Sequence, residues 1–315
     1  MLAVCQRYLK KYSAALTNLD KLKSLVPDHS RGHQETGHVY RAMNNADAAL
    51  NAYSRAIQIN PALFASFRGQ IEILSATGRE SMTGPLKRQL ESLEALTKVL
   101  VVVMDLIAHG KLVKAEELCK GFMQKVPRHI EGMRLLADIG NRLGVLEDAE
   151  FLLESAIAFS PDSIQVRIDY IQVLRKRHKY EEALAQAKLL LAKDPKNPQF
   201  QSVFAVESMQ SGDYATALKA FDSILKIIPE DPGTLTSRGT ALKTKGQTDE
   251  AIDSYRRAIK KYQGHGEAYY SLANLKLFSF SEEEIAIMEA QKVNLGISHM
   301  SRVYINFALG KAYED

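Results

Sequence analysis

Cysteine, tryptophan and long apolar runs are scarce in this sequence, and each scarcity excludes a class of protein. The 315 residues contain two cysteines and no tryptophan. A small domain held together by disulfides needs more cysteines, so we expect Cys5 and Cys119 to be small buried side chains in a reducing compartment. A His-Glu-x-x-His motif and a glycine-rich phosphate loop after a strand pattern are also missing. We therefore predict no metal site, no cofactor site and no catalytic residue in this chain.

Membrane-spanning sequence is missing as well. The apolar stretch LTKVLVVVMDLIA, residues 96–108, is short and contains charges, whereas a spanning helix needs about 20 apolar residues. The N-terminus lacks the apolar core of a signal peptide. We predict a cytoplasmic chain with no membrane partner.

Charge of one sign is not in large excess. Lys and Arg total 41, Asp and Glu total 37, and the net charge is +4. A nucleic-acid-binding domain carries a basic patch or stripe, so we predict that nucleic acid is not a partner. The dense basic run Arg175–Lys179 falls at the predicted C-terminal end of a helix, where cations stabilise the negative end of the helix dipole.

Prolines are few, but six of them follow a regular interval. Pro27 and Pro61 are 34 residues apart, and so are Pro195 and Pro229. The full set is Pro27, Pro61, Pro127, Pro161, Pro195 and Pro229. An alanine lies twelve residues before each proline, and a seventh alanine continues the series before Gln263, which replaces the expected proline. These alanines are Ala15, Ala49, Ala115, Ala149, Ala183, Ala217 and Ala251.

A second set of residues lies four positions after the alanines. It consists of Leu19, Tyr53, Cys119, Leu153, Ala187, Phe221 and Tyr255. Alanine lets two helices approach closely, a large residue one turn later fills the gap, and proline ends the second helix. This pattern, with its period of about 34 residues, matches the second helix of the tetratricopeptide repeat. In the first helices, Gly37, Ala137 and Gly239 supply the small contact. The resemblance implies an all-α, right-handed superhelical solenoid.

The period also predicts the domain organisation. We assign tandem repeat units to residues 1–263, with an irregular segment at 62–96, because Pro127 follows Pro61 two positions too early for a double period. Within that segment, ATGRESMTGP at 76–85 contains two glycines and a proline and is expected to form a longer internal loop. Ser281 and Glu284 form a capping box that predicts a new helix. Residues 264–315 are expected to be C-terminal capping helices.

The last helices carry a more specific resemblance. The stretch GEAYYSLANLKLFSFSEEEIAIMEAQ at 266–291 and the closing FALGKAYED at 307–315 are similar to the end of the repeat arm in tetratricopeptide-repeat sulfotransferases. Residues 166–200 and 239–269 resemble the same family's repeats. The resemblance implies a sulfotransferase domain in cis that follows the arm and uses 3′-phosphoadenosine-5′-phosphosulfate as donor. The period places Met1 inside a first helix, so we expect an incomplete N-terminus and an end just before the catalytic domain.

Two alternatives to the sulfotransferase arm stay open. One is a freestanding tetratricopeptide adaptor in a multiprotein assembly. The other is the arm of a tetratricopeptide glycosyltransferase, in which similar repeats precede a different catalytic fold. In all three cases the chain itself is a non-catalytic interaction scaffold.

The candidate site is the face of the first helices that lines the concave side of the superhelix in this family. Its residues are polar and mildly cationic, which suits a protein partner, an extended peptide or a glycan-like acceptor. The repeat register selects Arg134, Asp138, Asn141, Gln172, Arg175, Gln199, Ser202, Thr236, Thr240, Lys243, Tyr270 and Asn274. An ordinary solvated surface is the competing interpretation of each. His29, His33 and His38 are close in sequence but lack the further ligands of a zinc site, so we expect surface histidines.

The lack of a phosphate loop generates a first prediction. Residues 1–315 should not bind adenosine 3′,5′-bisphosphate, because binding needs backbone amides at a helix N-terminus after a strand, with a basic side chain nearby. Isothermal titration calorimetry measures this. A dissociation constant in the micromolar range would contradict it.

Overall fold

The structure is a computed structural model that describes residues 1–275, 278–294 and 296–314. Within these residues it contains nineteen α-helices, one short 3-10 helix and no β-strand. The all-α prediction is confirmed. The helices divide between two compact units, unit 1 (Met1–Leu152) and unit 2 (Leu153–Asp315).

Unit 1 is a series of helix pairs in which odd-numbered helices are first members and even-numbered helices are second members. Its helices are α1 (Leu2–Tyr8), α2 (Tyr12–Leu25), α3 (Ser30–Ala42), α4 (Ala46–Ile59), α5 (Phe64–Ala76), α6 (Thr83–Glu94), α7 (Lys98–Ala108), α8 (Leu112–Lys125) and α9 (Ile130–Leu143). The 3-10 helix, Glu80–Met82, precedes α6, and α10 (Leu146–Phe159) contains the division between the units. Each first helix from α1 to α7 packs on its second helix, and α3 also contacts α1 and α5.

Unit 2 continues the alternation up to α16. Its helices are α11 (Ile164–Lys176), α12 (Tyr180–Lys193), α13 (Pro198–Gln210), α14 (Tyr214–Ile227), α15 (Pro232–Thr244), α16 (Thr248–Lys261), α17 (Gly266–Ala273), α18 (Glu282–Lys292) and α19 (His299–Glu314). The first helices α11, α13, α15 and α17 contact one another in order, so their outward faces form a row.

The alanines of the proline-linked series are buried in the packing between helices, as predicted. All seven have no exposed surface. The residues four positions later are buried too, between 0% and 3% exposed, and they include Tyr53, Phe221 and Tyr255. Both sets lie on the inner face of the second helices. Their spacing therefore marks the core of each unit.

Glycines on the first helices fit under tyrosine rings of the second helices. A Cβ on Gly37 would lie 2.5 Å from Cδ1 of Tyr53, and a Cβ on Gly239 would lie 2.6 Å from Cε1 of Tyr255. The Tyr53 ring also lies against Gly69 of the next first helix. Because nothing larger than hydrogen fits, glycine at these positions sets the distance between the helices.

The turn between first and second helix repeats the same backbone conformation. One residue with positive φ lies in each of eight turns: Lys10, Asn44, Gly78, Gly110, Gly144, His178, Gly212 and Gly246. Neighbours in this series are one full period apart, except Gly78 and Gly110, which are two positions closer. The period of the sequence is thus also the interval at which the backbone conformation of the turn repeats. The shortened interval lies between the turns at Gly78 and Gly110.

The longer loop predicted over residues 76–85 is wrong. Helix α5 reaches Ala76, and α6 begins at Thr83, so Gly84 and Pro85 lie in the first turn of α6. Proline is tolerated in the first turn because its missing N–H has no partner within the helix there. The irregularity is a matter of length, since α6 has 12 residues whereas the other second helices up to α16 have 14.

The last three helices are less regular than the pairs before them. The predicted capping box is present: the backbone N–H of Glu284 donates to Oγ of Ser281, and the N–H of Ser281 donates to Oε2 of Glu284. Helix α19 packs on α17, where a Cβ on Gly266 would collide with the backbone of Ser301. The domain boundary predicted between residues 263 and 264 stays a prediction. Residues 276, 277 and 315 of the two resemblance-carrying stretches lie outside the described residues.

The structure bears on the expectations about the cysteines and about membrane-spanning helices. Cys5 is exposed rather than buried, because it lies on the outer side of α1, whereas Cys119 is buried as predicted. Over the described part of the chain, no helix combines the length and hydropathy that crossing a membrane requires.

The glycine contacts predict the effect of a larger side chain. Gly239→Leu should destabilise the protein by about 1–3 kcal/mol, because its side chain would displace the Tyr255 ring from a filled core. Gly121→Leu on α8 is the control, since a Cβ there meets nothing within 4 Å. Thermal unfolding measures both, and an unchanged midpoint for Gly239→Leu would contradict the packing.

Candidate functional site

The first-helix face carries the twelve residues selected from the sequence. Three of them, Arg134, Asp138 and Asn141, lie on α9 in unit 1. Eight others lie on α11, α13, α15 and α17 in unit 2, and Asn274 is the C-cap residue that follows α17. The structure therefore brings together nine candidates on one row of helices.

On α9, Arg134 and Asp138 pair with residues of their own helix. Arg134 donates to both carboxylate oxygens of Glu131 at 2.7 and 2.6 Å. Arg142 donates to Oδ1 of Asp138 at 3.0 Å, and Asn141 also has an interaction partner. All three side chains are half-buried, and Arg134 and Asp138 are already paired, so these two are poorly suited to anchor a ligand.

Arg175 of α11 reaches across to the next first helix. Its Nη1 donates to Oε1 of Glu207 on α13 at 3.1 Å, and the Glu207 side chain is only 1% exposed. The second carboxylate oxygen, Oε2, is buried without a hydrogen-bond partner among the described residues. Burial raises the pKa of Glu207 to about 6, and Arg175 opposes this shift only in part. Arg175 is thus committed to an internal acid.

The two threonines of α15 are tied into the packing between α15 and its neighbours. Thr236 is 2% exposed, and its hydroxyl contacts Nε2 of His265 at 2.9 Å. Thr240 donates to the carbonyl of Thr236 and lies 3.3 Å from the hydroxyl of Tyr255. Burial lowers the pKa of His265. Thr236 does not reach the surface, because its position in the register faces the loop that begins α17.

Tyr270 lies on α17 beside α19, and Asn274 is the C-cap residue of α17. The Tyr270 ring packs against Tyr304 at 5.0 Å and Phe307 at 4.9 Å between ring centroids. Asn274 donates its side-chain amide to the carbonyl of Tyr270 at 2.8 Å. Tyr270 remains 36% exposed. It is part of an aromatic cluster that holds α19 in place, with one edge open to solvent.

Four candidates keep their side-chain polar groups free. The side chains of Gln172 on α11, Gln199 and Ser202 on α13 and Lys243 on α15 make no hydrogen bond or ion pair to another described residue, and Ser202 alone of them is half-buried. They lie on three successive first helices that contact one another. This free set is the part of the predicted site that is available for recognition.

Sequence reasoning missed a recurrent ion pair. Arg7 of α1 donates to Glu35 of α3 at 2.6 Å, and Arg41 of α3 donates to Glu72 of α5 at 2.5 Å. Both pairs join consecutive first helices of unit 1, as Arg175 and Glu207 do in unit 2. Arg7 and Arg41 are one period apart and share the register of Arg175. An arginine in this register, with an acid 28 to 32 residues later, is the signal that could have revealed them.

Unit 1 also contains a polar network that sequence reasoning missed. Arg31 of α3 contacts Asp105 of α7 at 3.2 Å, and the same carboxylate accepts from the side-chain amide of Asn60 at 2.8 Å. Asn60 has no exposed surface. These cations of unit 1 are therefore matched by carboxylates of the same unit.

The clustered histidines have structural roles. Nδ1 of His29 accepts from the backbone N–H of Gly32 and caps α3. His33 contacts the carbonyl of Pro27 at 2.7 Å, and His38 contacts the hydroxyl of Tyr53 at 2.6 Å. The expectation of surface histidines is wrong, since all three are half-buried. Among the described residues, no group of three or more His, Cys, Asp or Glu side chains could hold a metal ion.

A cleft of about 600 Å³ lies at the beginning of unit 1, between α1, α2 and α3. Leu2, Val4, Leu19 and Leu22 supply much of its apolar lining. Its polar lining includes the Arg7–Glu35 pair and His38, which already have partners. The cleft therefore shows little unused polarity.

Comparison with known protein families supports this geometry. A family model described as the cytochrome c-type biogenesis protein H tetratricopeptide domain matches residues 120–234. Two tetratricopeptide-repeat models match residues 236–275 and 32–63. The chain carries tetratricopeptide repeats. The register assigned from the prolines and the helix pairs described above are those of this repeat.

Curated relatives share the repeats over part of their lengths. The chain is 29% identical over 106 residues to "Probable UDP-N-acetylglucosamine--peptide N-acetylglucosaminyltransferase SPINDLY" of Solanum lycopersicum, covering 34% of this chain and 11% of that protein. It is 22% identical over 171 residues to protein O-mannosyl-transferase TMTC1 of Homo sapiens, covering 53% and 19%. It is 30% identical over 112 residues to small glutamine-rich tetratricopeptide repeat-containing protein 2 of Mycosarcoma maydis, covering 36% and 28%. The chain thus spans less than a third of each of these relatives.

Solved structures of MamA also align with part of the chain. One is 17% identical with a TM-score of 0.45, covering 51% of this chain and 95% of that one. MamA from Desulfovibrio magneticus RS-1 is 13% identical with a TM-score of 0.48, covering 54% and 98%.

The buried Glu207 predicts a pH dependence of stability. Its pKa is raised from 4.5 to about 6 in the folded state, so between these values the folded state binds more protons than the unfolded state. Stability therefore falls as the pH rises through this window. Glu207→Gln removes the charge and should stabilise the protein by about 2 kcal/mol at pH 7 relative to its effect near pH 4.

Urea denaturation at several pH values between about 4 and 7 measures this difference. Glu182→Gln, at an exposed position of α12, is the matched control and should show no such trend. An effect of Glu207→Gln that is the same at every pH would show that the carboxyl group ionises at its ordinary pKa.

Proposed function

We propose that this tetratricopeptide chain is an interaction scaffold that binds an extended segment of a partner protein on the first-helix face of unit 2. The observation that carries the proposal is the free set, Gln172, Gln199, Ser202 and Lys243, on three successive first helices. Polar groups of a fold that are not committed within it are open to an incoming ligand. A row of uncommitted donors and acceptors is what an extended peptide backbone needs as a partner.

The chemistry of the free set indicates the kind of ligand. Glutamine side chains donate and accept hydrogen bonds, so they match the alternating N–H and C=O groups of an extended peptide or the hydroxyls of a glycan. Lys243 adds one positive charge without an acid beside it among the described residues. We therefore favour a ligand with an acidic group near its contact with α15.

Unit 1 is assigned a different role. Three of its first-helix cations, Arg7, Arg31 and Arg41, are each matched by a carboxylate of the same unit. Adding a charged ligand there would mean breaking an existing pair. We propose that unit 1 supports the fold and that unit 2 recognises the partner.

We further propose that the scaffold is the recognition arm of a transferase. Two relatives are named as enzymes that modify peptides or proteins with sugars, and residues 266–291 resemble the repeat arm of tetratricopeptide sulfotransferases. In the sulfotransferase version, a catalytic domain in cis takes the sulfuryl group from 3′-phosphoadenosine-5′-phosphosulfate. The glycosyltransferase version differs in the donor and in the catalytic fold. The arm selects the acceptor in both.

A peptide selection tests the binding proposal. Displaying a random peptide library against the chain should enrich extended peptides that contain acidic residues. The triple substitution Gln172→Ala, Gln199→Ala and Lys243→Ala should weaken binding of the selected peptides by about tenfold or more, since it removes three hydrogen-bonding contacts. Fluorescence anisotropy measures the dissociation constants.

The control separates loss of binding from loss of fold. Lys219→Ala removes one cation from the second helix α14 and should leave peptide binding unchanged. The triple variant should keep the thermal midpoint of the parent chain, because its side chains contact no other described polar group. Equal peptide affinity in parent and triple variant would reject this face as the binding surface.

A further inference from the structure

Two cations of unit 2 occupy the same register on different first helices. Arg175 on α11 and Lys243 on α15 are two full periods apart in the sequence. Helix α13 contacts both α11 and α15, and its residue in this register is Met209. Lys243 is exposed, and the Arg175 side chain is 34% exposed. Both cations therefore reach the face on which the free set lies.

The partner of Arg175 lies beneath that face. Glu207 of α13 is 1% exposed and accepts from Nη1 of Arg175 at 3.1 Å, and its Oε2 has no hydrogen-bond partner within the described residues. The clusters that α13 forms with α12, α14 and α15 are apolar, with Ala187, Phe221 and Ala241 as members. Arg175 is the charged group that acts on the Glu207 carboxylate. The charge of Glu207 is thus balanced by one arginine that solvent also reaches.

The pairing of Arg175 depends on the charge of Glu207. Taking the arginine away from an ionised, buried Glu207 would leave an uncompensated charge, which is strongly unfavourable. A buried carboxyl group escapes this cost by binding a proton, because burial disfavours its charged form. The pKa of Glu207 is raised to about 6 by burial, and Arg175 opposes this shift only in part. Mildly acidic solution is therefore sufficient to release Arg175.

We propose that Arg175 is a second anchor for an acidic group of the ligand, and that Glu207 controls this anchor by taking up a proton from solvent. The guanidinium keeps its charge throughout and exchanges the Glu207 carboxylate for a carboxylate of the ligand. The inference rests on the proposed function, since it adds ligand chemistry and regulation to the same face of unit 2. Binding of such a ligand is accompanied by proton uptake at Glu207.

The positions of the two cations indicate how the ligand is built. Packed helices lie 8–10 Å apart, so cations on α11 and α15, two helix steps apart, are separated by roughly 16–20 Å. An extended chain advances about 3.3 Å per residue and covers this distance in about five or six residues. The ligand therefore carries two acidic side chains at about this spacing, one for Lys243 and one for Arg175.

Nuclear magnetic resonance of the full chain tests the release of Arg175 without any ligand. The side-chain carboxyl carbon of Glu207 should titrate with a midpoint near pH 6, and the Nε–Hε signal of Arg175 should move with the same midpoint. In Glu207→Gln the Arg175 signal should stay at its low-pH position at every pH. Glu182→Gln, at an exposed position of α12, is the matched control and should leave the titration unchanged. An Arg175 signal that does not follow Glu207 would overturn the proposal, whether or not a ligand binds.

Two synthetic peptides test the second anchor. Both are made of serine and glutamine; one has two aspartates about five positions apart, and the other has one. Aspartates of an unfolded peptide stay ionised above about pH 5, because their pKa is about 3.9. The two-aspartate peptide should bind the parent chain about five- to tenfold more tightly at about pH 5.5 than at pH 7, since affinity follows the fraction of chains with Arg175 released. The one-aspartate peptide should change little.

Variants at the pair separate this effect from a general attraction of anions at low pH. Glu207→Gln should bind the two-aspartate peptide at pH 7 as tightly as the parent does at the lower pH, with no further gain on acidification. The double variant Arg175→Gln with Glu207→Gln removes the cation without leaving a buried charge, and it should bind the two peptides equally. Chemical-shift titration of the Gln172 and Lys243 signals measures these affinities.

The outcomes distinguish this inference from the binding proposal on which it rests. A two-aspartate peptide that shifts the Lys243 signal but gains no affinity at low pH, or keeps its gain in the double variant, would overturn Arg175 as an anchor and leave the binding face intact. If neither peptide shifts Gln172 or Lys243 at either pH, unit 2's first-helix face is not the binding surface, and the anchor is rejected with it.

Discussion

The architecture depends on close approach between first and second helices, where a small residue on one helix meets a large residue on the other. At Gly37 and Gly239 the space for a Cβ is taken by a tyrosine ring, so the distance between the paired helices is fixed by the ring's thickness. Interiors packed to this density have low compressibility, so a paired helix cannot move closer to its partner. The row of first helices in each unit is a consequence of this repeated contact.

Ion pairs between consecutive first helices contribute more to the correct alignment of these helices than to the stability of the fold. Arg7 with Glu35 and Arg175 with Glu207 join neighbouring helices, and Glu207 is almost completely buried. Burying an acid costs several kcal/mol before its partner offsets the cost. The raised pKa of Glu207 shows that Arg175 does not offset it fully. Such a pair disfavours wrong alignments strongly, because any shift of one helix leaves a buried charge without its partner.

The sequence predicted the fold well because its repeat has a physical origin at known positions. The seven alanines of the series, from Ala15 to Ala251, are all buried at the positions that the period predicts. The period predicts which way a side chain points from its helix, but not how deeply neighbouring segments bury it. This explains why two of the candidate residues are less accessible than their register indicates. Thr236 has the register of a surface residue, yet it is buried against His265, a residue of the following loop. The register predicts that Tyr270 contacts a ligand, but its ring packs against Tyr304 and Phe307. Both belong to α19, a helix that does not follow the period.

Magnitudes limit what the free polar side chains of unit 2 can do alone. A hydrogen bond exchanged with water contributes about 1 kcal/mol, so Gln172, Gln199, Ser202 and Lys243 together supply roughly 4 kcal/mol, which corresponds to a dissociation constant near 1 mM. Tighter binding needs buried apolar surface. Val206 and Met209 lie half-buried on α13, where they pack at the edge of the core that α13 forms with α14 and α15, and Tyr270 keeps an open edge on α17. A ligand long enough to cover these apolar groups as well as the amides would gain the missing free energy, so the proposed binding would depend on the length of the ligand more than on any one side chain.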